Sequence, residues 1–341
     1  MNARFLLSKS KLLEQYNIVK NLSDSVSYSL KTNPVVGKVL EELTDCWFSM
    51  HFIQSLDTIK DKRRVCFIGQ SWTDNELEIL FKQGVNSFIV DNERDLNTLL
   101  DYINDKDCMI NLFLRMRMKE YTIRTEKHFV FGMYSSQINE LIPKLRKNSK
   151  INKLGMHFHR KTQNISEWSL KEELQDVLDE KTLTQIDLLN IGGGIPVKYK
   201  NYSDDILPYI FGKIKELKEW LNGYNIELII EPGRFLAAPC IKLETEIIGI
   251  YGNTIVVNCS VYNSAMDTFV AHIRLMVEGE LEKGMPYTIK GCTPDSMDVF
   301  RYRVYLDNPK VGDKITFINS GAYTYSTDFC NLEKLETVIV D

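Results

Sequence analysis

No stretch of about 18 consecutive apolar residues runs through this chain, so nothing in it reads as a membrane-spanning helix. The N-terminus also lacks a short apolar core with a cleavage site behind it, which removes the secretory reading and leaves the cytoplasm as the expected compartment. Long Lys/Arg blocks are missing: 42 basic residues face 46 acidic ones for a net charge of -4. Phosphate backbones are neutralised by a concentrated basic face, so nucleic acid is not expected as a partner. The one locally basic stretch, Lys144 to Lys153, reads as a solvated helix end and loop. Cysteines number seven, at 46, 66, 108, 240, 259, 292 and 330, with no CxxC spacing, which argues against a disulfide framework or a zinc site. Cys66, Cys108 and Cys240 lie in or beside apolar runs and read as small core residues. His157 and His159 can share one side of a strand, but no third nitrogen or sulfur ligand is near them in sequence, so no metal is expected. Internal repeats and low-complexity linkers are absent as well.

What the chain does have is length and alternation. Its 341 residues, 44% hydrophobic, can bury a sizeable core in one large domain plus a smaller one. Eight apolar runs read as strands: Val26 to Leu30, Cys46 to Met50, Arg64 to Ile68, Ser87 to Asp91, Met109 to Met116, Lys153 to His157, Ile186 to Ile191 and Ile226 to Glu231. Helix-period segments lie between them, at Asp74 to Gln83, Glu93 to Ile103, Ser136 to Lys147, Leu170 to Leu178 and Ile210 to Leu221. Near-continuous apolar strands separated by helices imply a parallel sheet covered on both faces, and eight such units fit a TIM-like (β/α)8 barrel over residues 9–235. After about Phe235 the rhythm changes to short strands with turn residues, at Ile241 to Ile250, Thr254 to Val257, Thr288 to Lys290, Lys314 to Phe317 and Glu336 to Val340. These predict an antiparallel β domain over 236–341, joined by residues 1–8, whose Phe5-Leu6-Leu7 reads as a strand able to pair with it.

Three segments carry the chemistry. Lys31 ends the first barrel strand just before Pro34, and a lysine at a strand end either stays wet or has work that uses a lowered pKa and amine nucleophilicity. Gly192-Gly193-Gly194 ends the seventh strand, leaving backbone N-H groups uncovered to wrap an anion. Glu231-Pro232-Gly233-Arg234 follows the eighth strand, where Arg234 can add a charge-assisted fork to the same phosphate. Amine, anion cradle and carboxylate on one rim imply a ligand with an aldehyde and a phosphate. Pyridoxal 5'-phosphate fits, with Lys31 bound to the aldehyde, Glu231 keeping the ring nitrogen protonated and His159 covering the ring face.

These residues resemble, in order and over nearly the whole chain, the alanine racemase-like (fold type III) pyridoxal phosphate-dependent decarboxylases, the group that includes ornithine, diaminopimelate, arginine and carboxynorspermidine decarboxylases. Tyr28 to Pro34 is similar to the cofactor-lysine segment, and Gly155 to His159 to the strand whose second histidine stacks on the pyridine. The resemblance implies cofactor contacts from Arg115, Thr162, Gly192 to Gly194, Gly233, Arg234 and Tyr323, the last in Gly321-Ala322-Tyr323. It implies a homodimer with shared sites, in which the Gly291 to Asp298 segment reaches the partner's cavity and Asp295 meets the distal end of a small amino-acid substrate.

Two departures from the family pattern bear on function. The family has Pro before the threonine of this segment and Cys after it, whereas here Cys292 precedes Thr293 and Pro294 follows, so the protonating cysteine is displaced and Cys292 is the candidate replacement. Ala271-His272 stands where ornithine enzymes carry Asp-His, and nearby Asp267, Arg274, Glu278 and Glu280 are the candidates for rebuilding substrate recognition. The expected activity is removal of the α-carboxylate of an ornithine- or lysine-like amino acid, a diamino acid or a carboxylated polyamine. The alternatives are an amino-acid racemase on the same fold, against which Glu231 argues, and a catalytically silent homologue.

Overall fold

The computed structural model describes residues 2–118, 131–324 and 326–341. In chain order the strands and helices are β1 (Arg4–Ser8), α1 (Lys9–Lys20), β2 (Ser25–Ser29), α2 (Pro34–Leu43), β3 (Trp47–Met50), β4 (Val65–Ile68), α3 (Asp74–Lys82), β5 (Ser87–Val90) and α4 (Glu93–Asn104). There follow β6 (Ile110–Arg115), α5 (Ser135–Leu145), β7 (Ile151–His157), α6 (Leu170–Val177), α7 (Glu180–Leu183), β8 (Leu188–Asn190), α8 (Leu207–Asn222), β9 (Glu227–Ile230) and α9 (Arg234–Ala237). The last part holds β10 (Ile241–Tyr251), β11 (Thr254–Val257), α10 (Val261–Ser264), α11 (Asp267–Val270), β12 (Met276–Val277), β13 (Pro286–Lys290), β14 (Val299–Tyr305), β15 (Lys314–Ile318) and β16 (Glu336–Val340). Among the described residues no helix is long and apolar enough to cross a membrane.

Strands β2 to β9 close into a parallel barrel, each of the eight expected apolar runs supplying one strand. Local chemistry sets where the helices between them begin. Asn33 accepts from the Val35 and Val36 backbone N-H groups and Pro34 opens α2, an arrangement that satisfies free donors and fixes φ at the first turn. Thr73 and Glu76 form a reciprocal capping box at α3. Inside the barrel, Cys66, Ile68, Ile89, Phe113, Leu188 and Ile229 pack together. Gly155 makes room for this filling: a Cβ there would lie 2.7 Å from Phe113 Cδ1 and 2.8 Å from the Leu188 carbonyl oxygen. Ser27 and Ser49, buried on neighbouring strands, satisfy each other at 2.8 Å.

Contact density divides the chain into two compact units, one holding residues 16–195 and 206–232, the other the described residues of 1–15, 196–205 and 233–341. The second unit is built on an eight-stranded sheet with the path β12-β15-β10-β11-β13-β14, to which β1 adds by pairing with β10 and β16. It is mixed, not purely antiparallel, because β1 runs parallel to β16 and β11 parallel to β13. Residues 196–205 join this unit although they fall between barrel strands in sequence: the Lys200 N-H donates to the Arg274 carbonyl at 2.9 Å, and the Asn201 side chain donates to the His272 carbonyl at 2.9 Å. Cys66 and Cys240 are buried as expected, whereas Cys108 is half-buried because it sits in the loop ahead of β6 and outside the apolar run.

Candidate active site

The barrel unit alone encloses a cavity of about 570 Å³ lined from the C-terminal ends of its strands. Lys31 reaches it from a 3-10 turn (Leu30–Thr32) directly after β2, Arg115 from the last residue of β6, His157 and His159 from the end of β7, and Glu231 from the residue after β9. Parallel strands all present their C-terminal ends to one rim, so side chains far apart in sequence meet there.

Each ionisable group in the cavity is tuned by an identifiable cause. Lys31 opens onto the cavity, yet protein surrounds it on most sides, and this burial lowers its pKa below the ordinary lysine value; Glu231 pulls it up and Arg115 down. A larger neutral fraction is what an amine nucleophile requires. Glu231 is buried, which alone would raise its pKa, but contact with His157, whose Nε2 lies 3.4 Å from Oε2, outweighs burial and holds the carboxyl well below the usual range. The Asn190 side-chain amide donates to Glu231 Oε2 at 3.2 Å, a second restraint on the carboxylate. Burial pushes His159 down to about 3 and keeps that ring neutral. His157, His159 and Glu231 bring one ligand atom each within 4.8 Å of one another, so Glu231 is the third group that sequence spacing did not place beside the histidines. Arg115 Nη1 lies 3.3 Å from Asp91 Oδ1, and its guanidinium stacks 5.0 Å above the Phe131 ring.

The glycine run has a firmer steric reason than the one read from sequence. A Cβ at Gly192 would lie 2.4 Å from the Phe158 carbonyl oxygen, one at Gly193 2.7 Å from that of Glu231, and one at Gly194 2.8 Å from that of Lys161. The expected open row of N-H groups is corrected in part. Gly192 donates to Asn190 Oδ1 at 2.9 Å and Gly193 to His159 Nδ1 at 3.4 Å, because the loop folds back on its own strand end. Gly192 also holds φ +68, so Gly192→Ala should cost about 2–4 kcal/mol, left-handed strain plus overlap with a backbone that cannot yield. A urea midpoint that does not move would contradict this.

Arg234, Tyr199, Asp267 and Tyr323 form a cluster within the other unit. Arg234 Nη1 donates to Tyr199 Oη at 3.1 Å and to Asp267 Oδ2 at 2.5 Å, and the guanidinium lies 5.0 Å above the Tyr323 ring. Asp267, read from sequence as a substrate contact, is thus buried in an ion pair with Arg234, since an interior guanidinium needs a counter-charge. Gly233 caps the short helix that begins with Arg234. Arg274 stacks 5.7 Å over Tyr302 and is half-buried. Thr162 stands exposed in the loop after β7.

In the segment Gly291 to Asp298, Cys292 is exposed and its thiol pKa is raised by burial of part of its surroundings and by Asp298. Asp295 accepts from Tyr262 Oη at 3.2 Å and from the Met297 N-H at 2.7 Å. The fully buried carboxylate here is Asp298, which sequence reading passed over. It accepts from the Thr293 N-H and hydroxyl at 3.1 and 2.7 Å and from the Val261 N-H at 2.9 Å, fixing the loop. The other residues missed are His51, Asp91 and Asn190. Asn190 carried a signal, an amide inside an apolar strand end; His51 carried none.

The residues present fit the reactive part of pyridoxal phosphate: an amine for its aldehyde and a buried anionic carboxylate for its ring nitrogen, both lining one cavity. Residues 45–238 match the family described as "Pyridoxal-dependent decarboxylase, pyridoxal binding domain", a segment that begins after Lys31. A probable ornithine decarboxylase of Dictyostelium discoideum is 23% identical over 96% of this chain and 76% of its own. Among solved structures, diaminopimelate decarboxylase from Helicobacter pylori complexed with L-lysine is similar with a TM-score of 0.84 and 18% identity, covering 100% of this chain and 92% of that one. Lysine/ornithine decarboxylase from Vibrio vulnificus complexed with putrescine gives 0.78 and 22%, covering 99% and 94%. At these identities the structures speak to the fold.

Proposed function

Because the chain belongs to the pyridoxal-dependent decarboxylases, carboxy-lyases that act on amino acids with pyridoxal phosphate as cofactor, we propose that its substrate is an ornithine- or lysine-like amino acid, a related diamino acid or a carboxylated polyamine. One observation carries the reading: Lys31, His159 and Glu231 line a single cavity at the C-terminal rim of the barrel. When bound, the cofactor supplies an electron sink for the pair left behind by the departing carboxylate. Lys31 would hold the aldehyde carbon through its Nζ, and burial keeps that nitrogen ready to act as a nucleophile. Glu231, held anionic by His157, would hold a proton on the ring nitrogen, and His159 would cover the ring. Gly192 to Gly194, whose lack of side chains lets the loop pack against the end of β7, would lie toward the phosphate end.

The relative named for ornithine supports a basic substrate, and the match to a decarboxylase family, together with Glu231, disfavours racemisation. The motif order supports a homodimer with shared sites, in which Asp295 and Cys292 of the partner subunit serve the substrate end. A panel of ornithine, lysine, diaminopimelate and carboxylated polyamines, scored for carbon dioxide and amine product, tests the reading. One of them should turn over with release of both products in equal amount. Substrate inverted at Cα with no gas release would replace it by racemisation.

A further inference from the structure

We infer that His51 is the proton-exchange partner of Lys31, a positioning residue that acts through the lysine and not on the substrate. This rests on the reading of Lys31 as the cofactor lysine. The barrel register supplies the first ground. Strands β2 and β3 pair with Ser29 opposite Ser49, and Lys31, on the turn after β2, and His51, directly after β3, each follow that matched pair by two residues. Both side chains line the cavity, and Nδ1 of His51 is buried with no hydrogen-bond partner.

The second ground is what surrounds them. Most other titratable groups on the cavity wall are committed: Glu231 to Asn190, His159 to the Gly193 N-H, Asp91 to Arg115 and to the Gly132 N-H at 3.1 Å, and Glu76 to Thr73 at the start of α3; His157 makes no hydrogen bond at either nitrogen, but its Nε2 lies 3.4 Å from Glu231 Oε2. His51 holds no such bond at Nδ1 and faces Lys31, Arg115 and His157 as cations or potential cations and Glu231 as the anion. Burial first and the Lys31 charge second push its pKa down to about 4, so with Lys31 charged the imidazole is neutral and able to accept. In the exchange an Nζ-H bond of Lys31 breaks and an N-H bond forms on the imidazole, with the charge moving from ammonium to imidazolium. Loss of the lysine charge removes the repulsion that weakened the ring as a base. The amine so freed is the form that bonds to an aldehyde carbon, and the reverse transfer recharges it afterwards.

The test follows the rate at which cofactor-free protein captures pyridoxal phosphate, read as growth of near-visible absorbance across a pH series. His51→Gln and His51→Ala should both reach the native final occupancy, but about 100-fold more slowly at neutral pH, the usual worth of a positioned acid-base group. Added imidazole should restore the rate of His51→Ala and leave His51→Gln, whose side chain fills the space, unchanged. A native rate and pH profile in His51→Gln would overturn the inference, as would a slow His51→Ala that imidazole does not rescue, since only packing would then be lost. Unaltered protein that captures no cofactor would instead bring down the functional reading, and this one with it.

Discussion

Lys31→Ala should remove the near-visible absorbance of cofactor-loaded protein and lower decarboxylation by at least about 10⁴-fold, the scale of losing one member of a set that acts as a unit. The size follows from the cavity. Among the described residues Lys31 is the only lysine that lines the cavity, and it is the amine placed to bond to the aldehyde. Glu231, His159 and the glycine loop would remain, and these can still hold the cofactor without a covalent bond. Two readouts therefore separate the roles. Equilibrium dialysis should show cofactor bound more weakly but still bound, while borohydride should no longer fix it to the chain. Retained absorbance, or labelling at another lysine, would mean that the bond to the aldehyde is made elsewhere. Because Lys31 sits on a 3-10 turn whose neighbours Leu30 and Thr32 are buried without help from its side chain, the substitution should leave the fold intact.

The same geometry explains what could be read without coordinates. The barrel strands were legible because a parallel strand covered on both faces is a continuous apolar run, and Val65–Ile68 or Ser87–Val90 has no other reading at that length. In the sheet unit β14 was missed because its VFRYRVY pattern mixes buried arginine with exposed tyrosine. Arg301 is buried there only because Glu280 and the Leu275 carbonyl accept from it, partners that come from distant segments. Strand β12, two residues long, falls below any periodicity. For the site, Lys31, the glycine run and Glu231 were legible because each stands at a strand end beside turn residues. His51 was not, because its meaning comes from the Ser29–Ser49 register, a pairing no single sequence displays. The ion pair of Asp267 with Arg234 went unread for a related reason: nothing in its neighbourhood in sequence announces that partner.

Glu231→Gln should keep the cofactor and the absorbance, leave KM within a few-fold and reduce kcat by about 10²–10³-fold, the range found when one preorganised charge-stabilising contact is removed. The amide matches the carboxylate in size, so it fills the same buried space beside His157 and Asn190 and still offers an oxygen to the ring nitrogen. What it lacks is the charge. In the native site contact with His157 overcomes the effect of burial and holds Glu231 anionic at any pH near neutrality, so a proton on the ring nitrogen faces a full negative charge in a place shielded from water. With glutamine that proton is held only by a neutral dipole, and the ring accepts the electron pair of the leaving carboxylate less readily. The loss belongs to kcat because the demand for charge rises as the carbon-carbon bond breaks, while substrate binding does not draw on it. A fall in cofactor affinity with unchanged kcat would assign Glu231 to anchoring alone, and equal kcat and KM in the two proteins would remove it from the reaction.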